Sequence, residues 1–247
     1  STGIMVWDDT NSGNYTGAVI EDCKVFGDGV HCSNGILVAS IPKSKIINCY
    51  AEGAVNGVNG PGHGQQIKNV GHDSEIIGGR SVNCTVGYGF GNDQALGILG
   101  PQRCRILGGQ TSGCNAALEG LSFGYSTVQL AHVENSGFQG YNVRLTGICD
   151  GNTITVDAIT GGDSVRAAFL IRPYCAGNTL RLNNLGSREG AGIIAVFDTA
   201  HAGEVPQYCL RGVAISAAGT GYTAGDVVTL TGLSGLVAPT VRITAVS

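Results

Sequence analysis

Ile20-Glu-Asp-Cys23, Ile46-Ile-Asn-Cys49, Ile76-Ile-Gly-Gly79 and Ile106-Leu-Gly-Gly109 are four versions of one short phrase, and Asn152-Thr-Ile-Thr155 and Asn178-Thr-Leu-Arg181 continue it. Taking Ile20, Ile46, Ile76, Ile106, Leu130, Ile154 and Leu180 as strand anchors gives gaps of 26, 30, 30, 24, 24 and 26 residues. A weaker series, Leu37, Ile67, Ile98, Leu121, Val143, Phe169 and Ile193, runs out of phase with the first. Two short strands per rung, stacked on copies of themselves, is the arithmetic of a solenoid. One rung cannot bury its own apolar side, whereas several stacked rungs form a continuous core. That requirement is what makes the pattern recur.

Composition chooses the kind of rung. Glycine accounts for 41 of the 247 residues and charged residues for only 13%, which does not suit rungs built from helix formers. Thr127-Val-Gln-Leu-Ala-His-Val133 and Thr153-Ile-Thr-Val-Asp157 alternate apolar and polar residues with period two, the strand signature. Gly and Asn between the runs supply the left-handed backbone that tight corners need. A leucine-rich repeat would require Leu-x-x-Leu-x-Leu spacing and a helix per rung, and neither is present. The expected fold is all-β: a right-handed parallel β-helix of about seven rungs over residues 1–200, then a linker at 201–211. A small β module at 212–247 follows, where Val227-Val-Thr-Leu230 and Pro239-Thr-Val-Arg-Ile-Thr-Ala-Val246 read as strands.

Charge and cysteine content narrow the function classes. Fourteen basic and eighteen acidic residues give a formal net charge of −4, with no Lys/Arg cluster of the kind a nucleic-acid surface needs. No apolar run approaches the roughly 20 residues that cross a bilayer as a helix. The chain begins Ser1-Thr-Gly without an initiator methionine, which points to a piece of a longer protein. Of the nine cysteines, Cys23 and Cys49 each follow their anchor by three residues, and Cys84 and Cys114 follow theirs by eight. Equivalent places on successive rungs stack, so these thiols read as small apolar fillers of an interior ladder. No Cys/His spacing suggests zinc, no tight Asp cluster offers calcium a site, and no cofactor is expected. Buried free thiols in odd number suit folding in a reducing cytoplasm.

A resemblance enters at the tail. Gly219-Thr-Gly-Tyr-Thr-Ala-Gly-Asp226-Val-Val-Thr-Leu230 resembles a short repeat in the C-terminal parts of bacteriophage tail fibres and related virion proteins. The Gly-rich, Cys- and Asn-laddered rungs resemble the β-helix shafts of phage tailspikes, within the pectate-lyase-like superfamily. The resemblance implies a homotrimeric receptor-binding protein of the virion tail, assembled in the host cytoplasm beside other tail proteins. It would grip a bacterial surface polysaccharide and in some members cleave it. A bacterial adhesin on the same fold is the third class.

Two places attract attention as chemistry. Gly60-Pro-Gly-His-Gly64 is similar to the histidine segment of polygalacturonases, but the aspartates of that family are missing. Asp28 is the only acid in a comparable place, and no Arg-Ile-Lys follows. Inverting hydrolysis needs two carboxyls roughly 6.5–9.5 Å apart, so His63 reads as part of a Gly-x-Gly turn. The second place is His132 with Glu134, two apart on one strand and so on one face. Glu119, one rung earlier, and Asp93, on a loop expected to project from the shaft, complete a set of catalytic candidates. Tyr88, Phe90 and Tyr125 are the candidate sugar-stacking aromatics. The competing reading, ordinary solvated edge residues, remains open at this point.

Overall fold

The computed structural model describes residues 2–9, 14–55, 62–91, 100–134, 141–160, 167–171, 175, 177–182, 227–229 and 240–242. Within them every regular element is a strand. The first three turns each carry one long and two short strands: β1 (Thr2–Trp7), β2 (Val19–Glu21) and β3 (Lys24–Phe26); β4 (Asn34–Ala39), β5 (Lys45–Ile47) and β6 (Tyr50–Glu52); β7 (His63–Lys68), β8 (Glu75–Ile77) and β9 (Arg80–Val82). Two turns with one long strand on each side follow: β10 (Val86–Gly91) with β11 (Arg105–Ser112), and β12 (Ala116–Leu121) with β13 (Thr127–Glu134). Next come β14 (Tyr141–Thr146), β15 (Thr153–Val156) and β16 (Ile159–Thr160), then β17 (Ala167–Ile171) and β18 (Thr179–Leu182). Finally β19 (Val227–Thr229) and β20 (Thr240–Arg242) form an antiparallel pair.

Strands from successive turns pair in parallel. The first sheet runs β1-β4-β7-β10-β12-β14-β17, and the second runs β2-β5-β8-β11-β13-β15-β18 with a side arm through β3, β6 and β9. This is a parallel β-solenoid. In the first sheet the five strands from β4 to β14 have a neighbour on both sides, while β1 and β17 stand at the two ends of the order among the described residues. No helix among the described residues is long and apolar enough to cross a membrane.

The anchors form a column. Ile20, Ile46, Ile76 and Ile106 stack in register, and Ile154 pairs with Leu180. The link between the two groups is Val128, not Leu130: Ile106 pairs with Val128, which pairs with Ile154. The cause is a bulge. In the early turns the second sheet breaks at a left-handed residue, Asp22, Asn48 or Gly78, and Gly108 keeps that conformation within β11. β13 crosses the same place with the same number of residues but a different path, so the register slips after Leu107 and recovers by Gln110, and Leu130 faces Gly109 instead. The second series is corrected more heavily. Leu37 lies in the outward-facing row of the first sheet, in register with Gln66, and Ile98 and Ile193 lie outside the described residues. Ile36, Gln65, Tyr88, Leu118 and Val143 form the inward column instead.

The interior is a stack of ladders. Ile20, Ile46, Ile76, Ile106, Val128 and Ile154 belong to one buried apolar cluster with Ile36, Ile67, Tyr88, Phe90, Phe123 and Leu145. Two residues before four of the anchors stands a polar side chain, Ser74, Ser126, Asn152 or Asn178, that caps the backbone of the preceding turn. Ser44 N–H donates to Ser74 Oγ, Ser126 N–H to Asn152 Oδ1, and Asn152 N–H to Asn178 Oδ1, each at 3.0 Å. The thiols fill the remaining positions: Cys32, Cys84 and Cys114 cluster with Ala54, and all eight described cysteines are free. Cys209 and the 201–211 segment lie outside the described residues, as does most of 212–247.

Candidate functional site

One face of the solenoid presents two straight rows of functional groups. β3, β6, β9 and the second halves of β11 and β13 lie side by side, and their middle residues, Val25, Ala51, Ser81, Thr111 and Val133, point inward. The flanking residues therefore point outward. One outward row is Lys24, Tyr50, Arg80, Gln110 and His132. The other is Phe26, Glu52, Val82, Ser112, Glu134 and, through β16, Thr160. Six turns at the usual strand spacing extend over about 24 Å.

The side chains are linked to one another. The Phe26 and Tyr50 rings lie 5.5 Å apart at 45°, and Phe26 is 68% exposed, so an aromatic platform opens the row. Tyr50 O–H donates to Glu52 at 2.7 Å, and that bond, then burial, pushes its phenol up to about 12. Further along, Arg80 donates to Glu134 Oε2 at 3.1 Å, and Ser112 O–H donates to the same oxygen at 3.0 Å. His132 Nε2 and Thr160 Oγ1 are 2.7 Å apart. The face offers carboxylate and amide acceptors, cationic and hydroxyl donors, and one stacking surface. Such a set can bind an extended hydroxylated chain.

The expected site residues are divided by the fold. His132 and Glu134 share this face, half-buried and adjacent. Glu119 does not join them: β12 belongs to the first sheet, and the carboxylate meets Arg144 at 2.5 Å. Tyr88 and Phe90 are corrected outright as sugar-stacking residues. Of the segment expected to be a loop, Gly87–Asp93, the described part lies in strand β10, and both rings are buried in the core, Phe90 packed 4.9 Å from Phe123. Asp93 lies outside the described residues. Tyr125 is exposed as expected, but at a corner in the column of Asp73, Arg103 and Asp150, with its ring against Gly151. His63 is not in a turn: it opens β7 and is buried.

Sequence reading missed Phe26, Tyr50, Arg80 and Gln110. A usable signal exists, because Lys24, Tyr50, Arg80, Gln110 and His132 each stand four residues after the aligned anchor of their turn. It is visible only once Val128 replaces Leu130 as the fifth anchor.

Fold and face together define a parallel β-solenoid with a polar, aromatic-tipped stripe along one side. Comparisons with known protein families, with curated proteins and with solved structures each gave no match.

Proposed function

We propose that the protein is a receptor-binding part of a bacteriophage tail fibre or tailspike, attaching the virion to a host surface polysaccharide through the Phe26–Thr160 face. The observation that carries this reading is the double row, five turns long on one side and six on the other, of stacking, carboxylate, amide and cationic groups. Its roughly 5 Å repeat along the axis suits an elongated chain of sugars more than a compact metabolite. The likeness of Gly219–Leu230 to a phage tail repeat supports the virion setting. Three copies per assembly belong to the same proposal, with other tail proteins as partners.

A second reading, a depolymerase of capsule or O-antigen, is favoured by the adjacency of His132 and Glu134 on that face. One experiment tests both. The purified protein is incubated with a panel of bacterial capsular and O-antigen polysaccharides, and binding, new reducing ends and ultraviolet absorbance of unsaturated sugars are followed together. Binding without cleavage supports attachment, new reducing ends indicate a hydrolase, and absorbance indicates a lyase. No binding to any member, or a stable monomer in sedimentation, would count against the attachment protein and the trimer respectively.

A further inference from the structure

The corner that precedes the anchors of the second sheet carries exposed groups that the stripe does not use. Three residues before the anchors stand Lys43, Asp73, Arg103 and Tyr125, on successive turns joined by backbone hydrogen bonds, and then Gly151 and Gly177. One residue before the anchors runs the row Lys45, Glu75, Arg105, Thr127, Thr153 and Thr179. Ser44, Ser74, Cys104 and Ser126, between the two rows, are buried, so the rows themselves face outward. A row of half-buried apolar residues, Ile47, Ile77 and Leu107, separates this corner from the stripe.

Three successive turns thus hold Lys43 with Lys45, Asp73 with Glu75, and Arg103 with Arg105. Four cations meet two carboxylates, an excess of two positive charges on a chain whose formal net charge is −4. The acids lie lower than the bases. Glu75 is 11% exposed, whereas Lys45, Arg103 and Arg105 are about half exposed and Lys43 is exposed. Asp73 takes two donors of Arg103, at 2.7 and 2.9 Å, and Glu75 is shared by Lys45 and Arg105. A guanidinium has five N–H donors in a fork that fits a carboxylate, so both arginines keep capacity beyond these acids.

The following turn sets Tyr125 beside Arg103 and Thr127 beside Arg105. Tyr125 is 60% exposed and holds φ at 53°, a left-handed backbone uncommon for a bulky residue. Glycine takes the same place at 151 and 177, where it is unstrained. A β-carbon at Gly151 would come within 2.8 Å of the Tyr125 ring, so the ring lies over that corner as over a floor.

We propose that this corner binds an acidic sugar chain laid along the solenoid axis, its carboxylates on Lys43, Lys45, Arg103 and Arg105 and one sugar ring on Tyr125. Thr127 meets the hydroxyls of that sugar. The excess positive charge selects an anion, and the exposed ring with a hydroxyl beside it selects a sugar. The two cation pairs stand two turns apart, about 10 Å, with an acidic turn between them. Basic, acidic and basic turns in succession suit a chain charged at every second unit, and they repel one charged at every unit, such as a polyphosphate. The inference rests on the attachment reading for the polymer and adds the charge of its sugars.

The test titrates uronic-acid-bearing oligosaccharides from the capsular and O-antigen panel against the same material after chemical reduction of its carboxyls to alcohols. Lys43→Gln and Arg103→Gln carry the charge question. Exposed ion pairs add little stability, so both variants should melt as the wild type does. Tyr125→Gly removes the ring at a position that glycine suits, and Tyr50→Ala reports on the stripe. The expected result is an acidic oligosaccharide bound about tenfold more tightly than its reduced form, the worth of one hydrogen bond to a charged group. That preference should shrink in Lys43→Gln and Arg103→Gln and persist in Tyr50→Ala, while Tyr125→Gly weakens both forms. Equal binding of the two forms overturns the inference and leaves attachment intact. So does a preference that survives both charge variants and vanishes in Tyr50→Ala. A short polyphosphate bound more tightly than any acidic sugar overturns the class of ligand, and no sugar bound by the wild type overturns both readings.

Discussion

Arg80 and Glu134 are fifty-four residues apart in sequence and meet at 3.1 Å on the outer face, the guanidinium reaching past the turn of Ser112 to the carboxylate. A parallel solenoid makes such contacts routine, because positions a whole number of turns apart are neighbours. What the pair contributes is a separate question. Its side chains are 46% and 40% exposed, and ion pairs that wet add only about 0–1 kcal/mol.

Glu134→Ala should therefore shift a urea midpoint by less than about 1 kcal/mol while weakening sugar binding on the stripe about tenfold, the worth of one hydrogen bond to a charged group. Parallel denaturation and binding titrations check it. A large loss of stability with unchanged binding would make Glu134 a staple between turns and remove it from the site.

A charge column on the neighbouring corner behaves differently. Glu75 is flanked by Lys45, at 3.2 Å, and by Arg105, its neighbours in register, and its side chain is only 11% exposed. The Arg105 guanidinium, aided by Lys45, holds the Glu75 carboxyl below its ordinary value of 4.5 against the opposing effect of burial. A carboxyl depressed by folding stabilises the protein above its unfolded-state pKa and loses that contribution as pH falls through the folded one. Glu75→Gln should cost roughly 1–2 kcal/mol at neutral pH, discounted for the half-exposed cations. The difference from wild type should close as pH drops below 4.5. Urea midpoints measured from neutral to strongly acid pH decide this. A gap that persists in acid would show that Glu75 acts through packing. Asp73, lowered in the same sense by its hydrogen bonds from Arg103, leaves some acid sensitivity in the variant.

How far the sequence led can be read from these same columns. The fold was legible because Ile20, Ile46, Ile76, Ile106, Ile154 and Leu180 must stack to bury one another. Their identity is dictated by a core that repeats. Leu130 went astray because the bulge opposite Gly109 depends on pairing between turns, which no local pattern records. The site was less legible for a related reason. Tyr88 and Phe90 stand among glycines and read as a loop, yet those glycines let strands and side chains approach closely while the rings fill the interior. Phe26, Tyr50 and Arg80 looked unrelated until register aligned them. His132 and Glu134 were legible because period two alone puts them on one face, whereas placing Glu119 required knowing which sheet holds β12.

The thiol ladder gives a third prediction. Cys104 is fully buried, and burial pushes its thiol up to about 12, while Cys32, Cys49, Cys84, Cys114, Cys149 and Cys175 are buried as well. The thiolate is the reactive form. With a maleimide at neutral pH the native protein should label slowly at these seven, Cys23 leading among the described cysteines, and all should react at once in denaturant. Peptide mapping by mass spectrometry is the readout. Rapid native labelling at Cys84 or Cys114 would mean that the ladder is not packed as described.

Tyr88 separates core from surface most sharply. Its ring is fully buried, and its hydroxyl reaches the bend of the second sheet, 3.0 Å from Gly79 O, and accepts from Gln110 N–H at 3.0 Å. Burial pushes the phenol well above its ordinary value of 10, so in the native fold it stays neutral where an exposed tyrosine ionises. Tyr88→Phe keeps the packing and removes only the hydroxyl, which should cost about 1–2 kcal/mol. Tyr88→Ala opens a cavity in the ladder and should cost about 3–5 kcal/mol. Tyr88 meets the outer stripe only through the Gln110 backbone and presents no atom on its surface, so Tyr88→Phe should bind sugar within about twofold of the wild type, while Phe26→Ala should bind less with nearly unchanged stability. If Tyr88→Phe instead lost binding at full stability, the ring would have to face a ligand, and the inward assignment of β10 would fail with it.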